Sequence, residues 1–233
     1  MTNHQKTLSA PASWPIERKT TVFTVKARPG PHGEKGVPLL VILRNVLEYV
    51  NSTREAKYVL QNRLVLLNGA VANDVRIPVG MFDILAFPTR DEYYRIFPES
   101  GGRLSLTPIT SDSANSKLGK ITGKSQLSPD EYQLALHNGT TLRIPANTDY
   151  HPGDSLIIDN ETGDIAAHFV YEVGALVTVI GGSHSGKIGT LTNIRVTSGG
   201  APNVVQIKSE SLTFETTEPY VVVIDDKFTG GRN

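Results

Sequence analysis

The sequence predicts an α+β chain made of several small modules. Two helical segments and a strong hairpin signal lie within residues 38–87, and alternating apolar and polar residues, typical of half-buried strands, recur through residues 88–172. A glycine-rich hairpin falls within residues 173–208, and a further strand with a flexible tail occupies residues 209–233. Residues 1–37 show neither the spacing of apolar residues typical of a helix nor the alternation typical of a strand. We therefore expect an N-terminal arm, a small α/β module, a central β-barrel-like domain, a C-terminal barrel and a tail.

The first 37 residues read as an extended basic arm. Proline and glycine interrupt residues 10–15, 28–33 and 36–38, which excludes a helix or a central strand there. An extended cationic chain with an aromatic residue suits RNA, because the ring can stack on bases while the cations meet phosphates. We expect the arm to be disordered until RNA orders it; a disordered or protein-docking tail is the alternative. The candidate contacts are Trp14, the chain's only tryptophan, and Arg18, Lys19, Lys26 and Arg28.

Two amphipathic helices are predicted in the second segment. In the first, over residues 39–50, apolar residues at helical spacing define one face: Leu39, Leu43, Val46, Leu47 and Val50. The second helix opens at Ser52, which forms a capping box with Glu55 because each side chain can bond the other's exposed amide. Three polar residues lie opposite the apolar side of this helix: Arg54, Lys57 and Gln61. A cationic stripe behind a buried stripe favours nucleic-acid contact, and a solvated face on an ordinary α/β unit is the alternative.

A hairpin follows the second helix. Residues 64–67 read as a strand, and Asn68-Gly69 is a strong signal for a two-residue turn, since both positions need a positive φ. The order helix, capped helix, strand, Asn-Gly turn, strand resembles the S4-type RNA-binding domain of ribosomal proteins and RNA-modifying enzymes. That domain usually closes on Gly-Asp, whereas Gly80 and Asp83 are separated here by two residues. The resemblance implies that RNA is contacted at Arg54, Lys57, Arg63, Asn68 and Gly69.

Residues 88–172 predict a small β-barrel or sandwich. Four segments alternate apolar with polar residues, and turn signals such as Asn138-Gly139 separate them. The predicted strands lie within residues 91–97, 103–107, 133–137 and 141–144. A modest basic patch, which we interpret as a solvated face, consists of Lys117, Lys120 and Lys124.

Residues 181–188, Gly-Gly-Ser-His-Ser-Gly-Lys-Ile, come close to a phosphate-binding P-loop without matching it. A P-loop needs Ser or Thr after the lysine to bind Mg²⁺, and a helix must follow, whereas Ile188 opens a stretch that reads as a strand. Residues 173–196 resemble instead the KOW module, a small SH3-like barrel of ribosomal and transcription-elongation proteins. That resemblance implies a tight loop permitted by Gly182, Gly186 and Gly189, with His184 and Lys187 facing an RNA or protein partner.

Composition narrows the possible functions. The chain has no cysteine, which excludes disulfides and thiolate metal sites and fits a reducing compartment. No apolar run approaches the ~20 residues that cross a bilayer, and the polar N-terminus has no signal-peptide core, so we expect a cytosolic protein. The net charge is zero, but residues 1–63 hold ten Lys or Arg and four Asp or Glu, a balance of +6. Phosphate contact is therefore expected mainly in the N-terminal third.

The sequence offers no catalytic constellation. The six histidines are scattered without an i, i+4 pair, and no nucleophile-elbow motif is present. Asp225-Asp226 follows a predicted strand and reads as a strand terminus. We expect no enzymatic activity, cofactor, metal or small-molecule substrate. Two alternatives remain, namely an RNA-modifying enzyme with an S4-type domain and a transcription or translation factor that uses a KOW module.

The arm adds the most specific resemblance. Trp14, Arg18-Lys19 and residues 29–32 resemble the opening of the small-subunit ribosomal protein family S4e of archaea and eukaryotes. Membership implies a structural constituent of the small ribosomal subunit, bound to ribosomal RNA and neighbouring ribosomal proteins in the cytoplasm, away from membranes, and supporting assembly and translation. Eukaryotic members usually carry a longer C-terminal extension, and this chain ends at Gly230-Gly-Arg-Asn233, which favours an archaeal source.

We expect RNA binding to be directed by shape and backbone, with little base reading. The residues expected to contact RNA are Trp14, Arg18, Lys19, Lys26, Arg28, His32, Arg44, Arg54, Lys57, Arg63, Asn68, Gly69, His184 and Lys187.

Overall fold

The protein is mostly β-structure with few helices. The computed structural model describes residues 4–210, 212–225 and 228, so Asp226 and residues 229–233 of the predicted tail lie outside the described residues. Within the described part of the chain, no helix is long and apolar enough to cross a membrane. Two compact units divide the chain, and each has its own apolar core.

Unit 1 contains Met1–Phe97 and Arg103–Lys117. Its strands are β1 (Gln5–Lys6), β2 (Phe23–Thr24), β3 (Val37–Pro38), β4 (Leu66–Leu67), β5 (Ala70–Val71), β6 (Pro78–Val79), β7 (Ile84–Phe87), β8 (Glu92–Pro98) and β9 (Leu104–Pro108). Its helices are α1 (Leu39–Val41), which continues as a π-helical turn over Ile42–Val46, and α2 (Thr53–Gln61).

The first predicted helix is shorter and more deeply buried than its sequence pattern indicates. All of the segment 39–43 is buried, because the run Leu-Leu-Val-Ile-Leu is apolar on every side and packs all round into the core. The first amides of α1 donate to the carbonyls of Ile77 and Val75, which satisfies a helix end that lies inside the unit. Helical structure ends at Val46, and Glu48 adopts a left-handed conformation. The prediction of a helix over residues 39–50 that is buried on a single face is therefore wrong in its length and in the extent of its burial, although Leu39, Leu43 and Val50 of the predicted face are buried.

The main sheet of unit 1 has the strand order β5-β4-β7-β8-β9. β4 and β5 pair antiparallel with Leu67 opposite Ala70, so the predicted Asn68-Gly69 turn is confirmed. Both turn residues have the positive φ that this turn requires, 50° and 79°. The strands predicted within residues 91–97 and 103–107 form β8 and β9 of the same sheet, which thus continues beyond Phe87.

The N-terminal arm packs onto unit 1. β1 pairs with β2, and Trp14, only 3% exposed, joins the apolar cluster that includes Leu39 and Leu60. Burying a large aromatic ring favours a fixed path for the chain, because aromatic side chains dominate core energetics. The expectation of an arm that stays disordered until RNA binds is therefore wrong for residues 4–37.

Unit 2 contains Pro98–Gly102 and Leu118–Asn233. Its strands are β10 (Ser116–Ser128), which begins at the end of unit 1, β11 (Glu131–Leu136), β12 (Thr141–Pro145), β13 (Ser155–Asp159), β14 (Ile165–Phe169), β15 (Leu176–Val179), β16 (Ile188–Arg195), β17 (Val204–Lys208), β18 (Thr213–Thr217) and β19 (Val221–Val223). They form two five-stranded sheets, ordered β12-β11-β10-β13-β14 and β18-β17-β16-β15-β19. Every strand of the second sheet contributes to one apolar cluster, so this sheet curls around its core as a half-barrel.

Strand β10 corrects the interpretation of the central lysines. Lys117, Lys120 and Lys124 all lie on this strand, and Lys120 is buried rather than solvated. Its ammonium group donates to the carbonyl oxygens of Glu218 at 2.8 Å and Val221 at 2.6 Å. Burial lowers the pKa of Lys120 to about 8, although the charge of Glu218 opposes part of this shift.

Candidate nucleic-acid interface

Helix α2 begins at the capping box predicted from the sequence. Ser52 Oγ accepts the Glu55 amide at 3.2 Å, which confirms the cap. The Glu55 carboxylate accepts the amide of Asn51 at 2.8 Å, one residue before the donor that the motif usually supplies. Hydrogen bonds from the Asn51 amide and the Ser52 hydroxyl lower the pKa of Glu55. The start of α2 is therefore fixed by local hydrogen bonds, which orients the outward face of the helix.

The outward face of α2 carries unpaired cations. Ala56 and Leu60 are buried against unit 1, whereas Arg54 and Lys57 are exposed on the opposite side. Arg63 follows the helix in a left-handed conformation and is also exposed. Among the described residues, none of these three cationic side chains takes part in an ion pair or a hydrogen bond. We call Arg54, Lys57 and Arg63 the α2 cation face; its charges can neutralise phosphates without first breaking an internal contact.

The Asn68-Gly69 turn is tied to a buried carboxylate, Asp83. Asn68 Nδ2 donates to Asp83 Oδ1 at 2.8 Å, while Asn68 Oδ1 accepts the Ile84 amide at 2.9 Å. The Gly80 amide donates to Asp83 Oδ2 at 2.9 Å, and His32 Nε2 lies 2.8 Å from the same oxygen. Asp83 thus joins the end of the arm, the hairpin turn and the start of β7.

The environment of Asp83 favours its ionised form. Burial by itself raises the pKa of this carboxyl, but the hydrogen bond and charge of His32, with hydrogen bonds from Asn68 and Gly80, outweigh burial and hold the pKa below its usual range. The His32 side chain is only 6% exposed. The RNA-contact roles predicted for His32 and Asn68 are therefore corrected, because their polar atoms are used inside the protein. Gly69 remains exposed at the tip of the turn.

Trp14 and Arg18, two of the predicted RNA contacts on the arm, make contacts inside the protein instead. Because the Trp14 ring is buried, it cannot stack on a base, and that prediction is wrong for this structure. Arg18 is half-buried, and its Nη2 donates to the carbonyl of Pro11 at 2.6 Å. The sequence pattern identified these residues but could not tell internal from external contacts.

The remaining cations predicted in the N-terminal third differ in their surroundings. Arg28 pairs with Asp74 at 3.6 Å, and the half-buried Arg44 donates from Nε to the side-chain oxygen of its neighbour Asn45 at 3.2 Å. Lys19 and Lys26 are both exposed. Exposed cations thus also lie on the arm, outside the α2 cation face.

Residues 181–187 of the glycine-rich stretch lie in the loop between β15 and β16. Ile188 begins a strand and no helix follows it, which agrees with the exclusion of a P-loop. Gly186 has φ +81°, and a Cβ at this position would lie 2.9 Å from the Pro98 carbonyl oxygen. Only glycine tolerates both the conformation and the close approach.

The two polar side chains of that loop contact an aromatic ring. His184 stacks on Phe214 with ring centroids 4.3 Å apart, and the Lys187 ammonium lies 5.1 Å from the centre of the same ring. Both side chains are half-buried. Their predicted exposure to a partner is therefore only partial, since Phe214 takes up one side of each.

Two further residues, Tyr58 and Asp83, are important here although neither is among the residues predicted to contact RNA. Tyr58 is 67% exposed on α2, one turn beyond Arg54. The signal was present, since a residue four positions after Arg54 must share its side of a helix. The sequence gives no sign of the role of Asp83, because its partners His32 and Asn68 are distant in the chain. Within the described residues, no group of three or more His, Cys, Asp or Glu side chains could hold a metal ion.

Comparison with known proteins gives consistent matches. The chain matches the RS4NT (NUC023) domain over residues 1–35 and the Ribosomal family S4e over residues 90–165. It is 56% identical to the small ribosomal subunit protein eS4 of Natronomonas pharaonis over 233 residues, covering 99% of this chain and 98% of that protein. It is 54% identical to the eS4 protein of Halorubrum lacusprofundi over 230 residues, covering 99% of this chain and 96% of that protein. The crystal structure of the 30S ribosomal protein S4e from Thermoplasma acidophilum matches with a TM-score of 0.71 and 27% identity, covering 84% of this chain and 98% of that chain.

Proposed function

Because the chain belongs to the ribosomal S4e family, as an archaeal member, we propose that it is a structural constituent of the small ribosomal subunit that binds ribosomal RNA. In this role it supports subunit assembly and translation and catalyses no reaction. The relatives are small-subunit proteins by name, which leaves the alternatives of an RNA-modifying enzyme or a transcription factor unsupported. Its partners are then ribosomal RNA and neighbouring ribosomal proteins, and its place is on the ribosome in the cytoplasm.

The observation that carries the RNA-binding part of this proposal is the α2 cation face. Arg63 and two residues of a capped helix present charges that no carboxylate in the described residues neutralises. In contrast, Arg28 and Arg90 each pair with an acidic side chain. Cations that contact phosphate release condensed counterions, which is the main sequence-independent source of affinity for nucleic acid. The exposed lysines of the arm, Lys19 and Lys26, extend this contact.

We also propose that residues 38–87 act as an S4-type module and residues 173–208 as a KOW module. The first assignment is supported by the capped helix α2 and the Asn68-Gly69 hairpin, which follow each other as in that domain. The second is supported by the tight loop between β15 and β16 within a five-stranded half-barrel. Under this proposal Gly69, His184 and Lys187 lie near RNA or a ribosomal neighbour.

Sedimentation tests the proposal in the cell. Lysate of the source organism is layered on sucrose gradients at low and at high Mg²⁺, and the protein is followed by quantitative immunoblotting. We expect it in stoichiometric amounts with the small subunit at low Mg²⁺ and with whole ribosomes at high Mg²⁺. A tagged variant with Ala at the α2 cation face, expressed beside the wild type, should be depleted from the subunit peak. Migration of the wild type at the top of the gradient, or with RNA polymerase, would contradict the proposal.

A further inference from the structure

Tyr58 is an exposed aromatic residue beside the cations of helix α2. It is 67% exposed, while Ala56 and Leu60 on the other side of α2 are buried. Arg54 lies one helical turn before Tyr58, so these two side chains are neighbours on the same side of the helix. Lys57 lies one turn after Arg54, on the side of Arg54 away from Tyr58, so the ring borders the two cations. The capping box fixes the start of this helix, which limits how far the ring can move relative to the cations.

The surroundings of Tyr58 distinguish it from other exposed aromatic residues. Phe23 is 57% exposed but packs edge-on against His4, with ring centroids 5.6 Å apart. Tyr220 lies against the backbone of Gly181, where an added Cβ would come within 2.7 Å of its ring. The Tyr58 side chain, by contrast, makes neither a ring contact nor a hydrogen bond within the described residues. Its face and its hydroxyl are therefore both open to a ligand.

We infer that Tyr58 stacks on an unpaired base of the RNA while Arg54 and Lys57 hold the adjacent phosphates. This inference rests on the proposed RNA-binding function and specifies the kind of RNA that α2 recognises. Bases offer a π-face to an aromatic ring whatever their identity, so the contact needs an accessible base but no particular sequence. Two cationic side chains that follow one another beside the ring suit a strand whose phosphates continue away from that base.

The inference differs from binding directed by backbone alone. In a continuous A-form duplex the bases are stacked on each other, and a protein meets mainly phosphates and 2′-hydroxyls. A ring that projects from a helix gains nothing from such a duplex beyond what its neighbouring cations supply. The α2 surface should therefore prefer a bulge or loop, in which a base can leave the stack, over an unbroken stem.

Fluorescence titration at fixed salt concentration tests this preference with the full-length protein. The probe is an RNA hairpin whose stem carries one bulged 2-aminopurine, and the matched control is the same stem without the bulge. Stacking on Tyr58 should quench the 2-aminopurine, and the wild-type protein should bind the bulged probe roughly tenfold more tightly than the control. Tyr58→Phe should retain both effects, because the ring remains.

Two further variants distinguish the contribution of the Tyr58 ring to binding from that of the two cations. Tyr58→Leu should lose the quenching and the preference for the bulge while its affinity for the unbroken stem and its melting temperature stay unchanged. The double variant Arg54→Ala/Lys57→Ala should weaken binding to both RNAs. If Tyr58→Leu binds the bulged probe as the wild type does, as it would if the ring faced a protein neighbour, the inference is overturned.

The same titrations distinguish this inference from the proposed function. Wild-type protein that binds both RNAs equally, with the double variant weaker on both, would uphold RNA binding through the cations and overturn base stacking. Wild-type protein that binds neither RNA would overturn both.

Discussion

Replacing Asp83 by alanine should destabilise unit 1 more than any change to its exposed charges. The substitution removes the acceptor of three donors, the Gly80 amide at 2.9 Å, Asn68 Nδ2 at 2.8 Å and His32 Nε2 at 2.8 Å. A buried polar group left without a partner costs about 1–3 kcal/mol. The costs of the three unpaired donors are not additive, because the donors share one site. Water can also enter part of the space that the carboxylate leaves. We therefore expect the free energy of unfolding to fall by about 4 kcal/mol.

Trp14 supplies a reporter for this measurement. It is the chain's only tryptophan and lies in the core of unit 1, so its fluorescence during equilibrium unfolding in urea follows that unit. Glu34→Ala is the matched control, because Glu34 is an exposed carboxylate two residues from His32 and should change stability by less than about 0.5 kcal/mol. A loss of about 1 kcal/mol or less in Asp83→Ala would refute the reasoning that this carboxylate holds the arm and the hairpin together.

The pH dependence of the same unfolding checks the ionisation of Asp83. Its pKa in the folded protein lies below that of the unfolded chain, about 3.9 for aspartate. The stabilisation is therefore complete above the unfolded value and is lost as the pH falls through the lower, folded value. Asp83→Asn keeps the shape of the side chain but cannot ionise, so its stability should fall less steeply than that of the wild type on acidification. If the free energy of unfolding fell equally steeply with decreasing pH in the wild type and in Asp83→Asn, this account would be contradicted.

Three other predictions address separate parts of the molecule. Alanine at all three positions of the α2 cation face should reduce the slope of log affinity against log salt by ~2–3 for a duplex RNA, and an unchanged slope would rule out this face. Gly69→Val should cost more than about 1 kcal/mol, measured by Trp14 fluorescence, because φ is +79° there; Ala70→Val, on the adjacent strand residue, is the control and should be near neutral. Lys120→Met should abolish a rise in the free energy of unfolding that the wild type shows at alkaline pH. With a folded pKa of about 8 against about 10.4 unfolded, the wild type releases its proton first when folded. Between these values its stability should therefore rise by about 3 kcal/mol relative to the variant, as followed by circular dichroism in urea.

Features determined by neighbours in the chain could be predicted from the sequence. The capping box at Ser52 and Glu55 and the turn at Asn68-Gly69 each involve residues within a few positions of one another, and both are present. Strands β8, β9, β11 and β12 were predicted for the same reason, since period-two alternation is a local pattern. Family resemblance depended on the same local features and led to the correct family.

Features determined by distant partners could not be predicted in this way. His32 bonds to Asp83, 51 positions further along the chain, and nothing near either residue signals the pairing. β10 was missed because its glycines and lysines resemble a loop, although the strand is stabilised by β11 on one side and β13 on the other. Trp14 looked like an RNA-stacking residue because a proline-rich segment gives no local sign that a core will receive the ring.

These corrections point to a physical criterion for functional residues in this protein. His32, Asn68 and Trp14 were candidates by residue type, yet their polar atoms or rings are already used inside unit 1. A side chain that satisfies a buried partner has to break that contact before it binds RNA, at a cost similar to what the RNA contact would return. The cations of α2 and the ring of Tyr58 meet no such cost, because no described residue uses them. Binding should therefore depend most on the surface groups that folding leaves without partners, and α2 presents a cluster of these on a single helix.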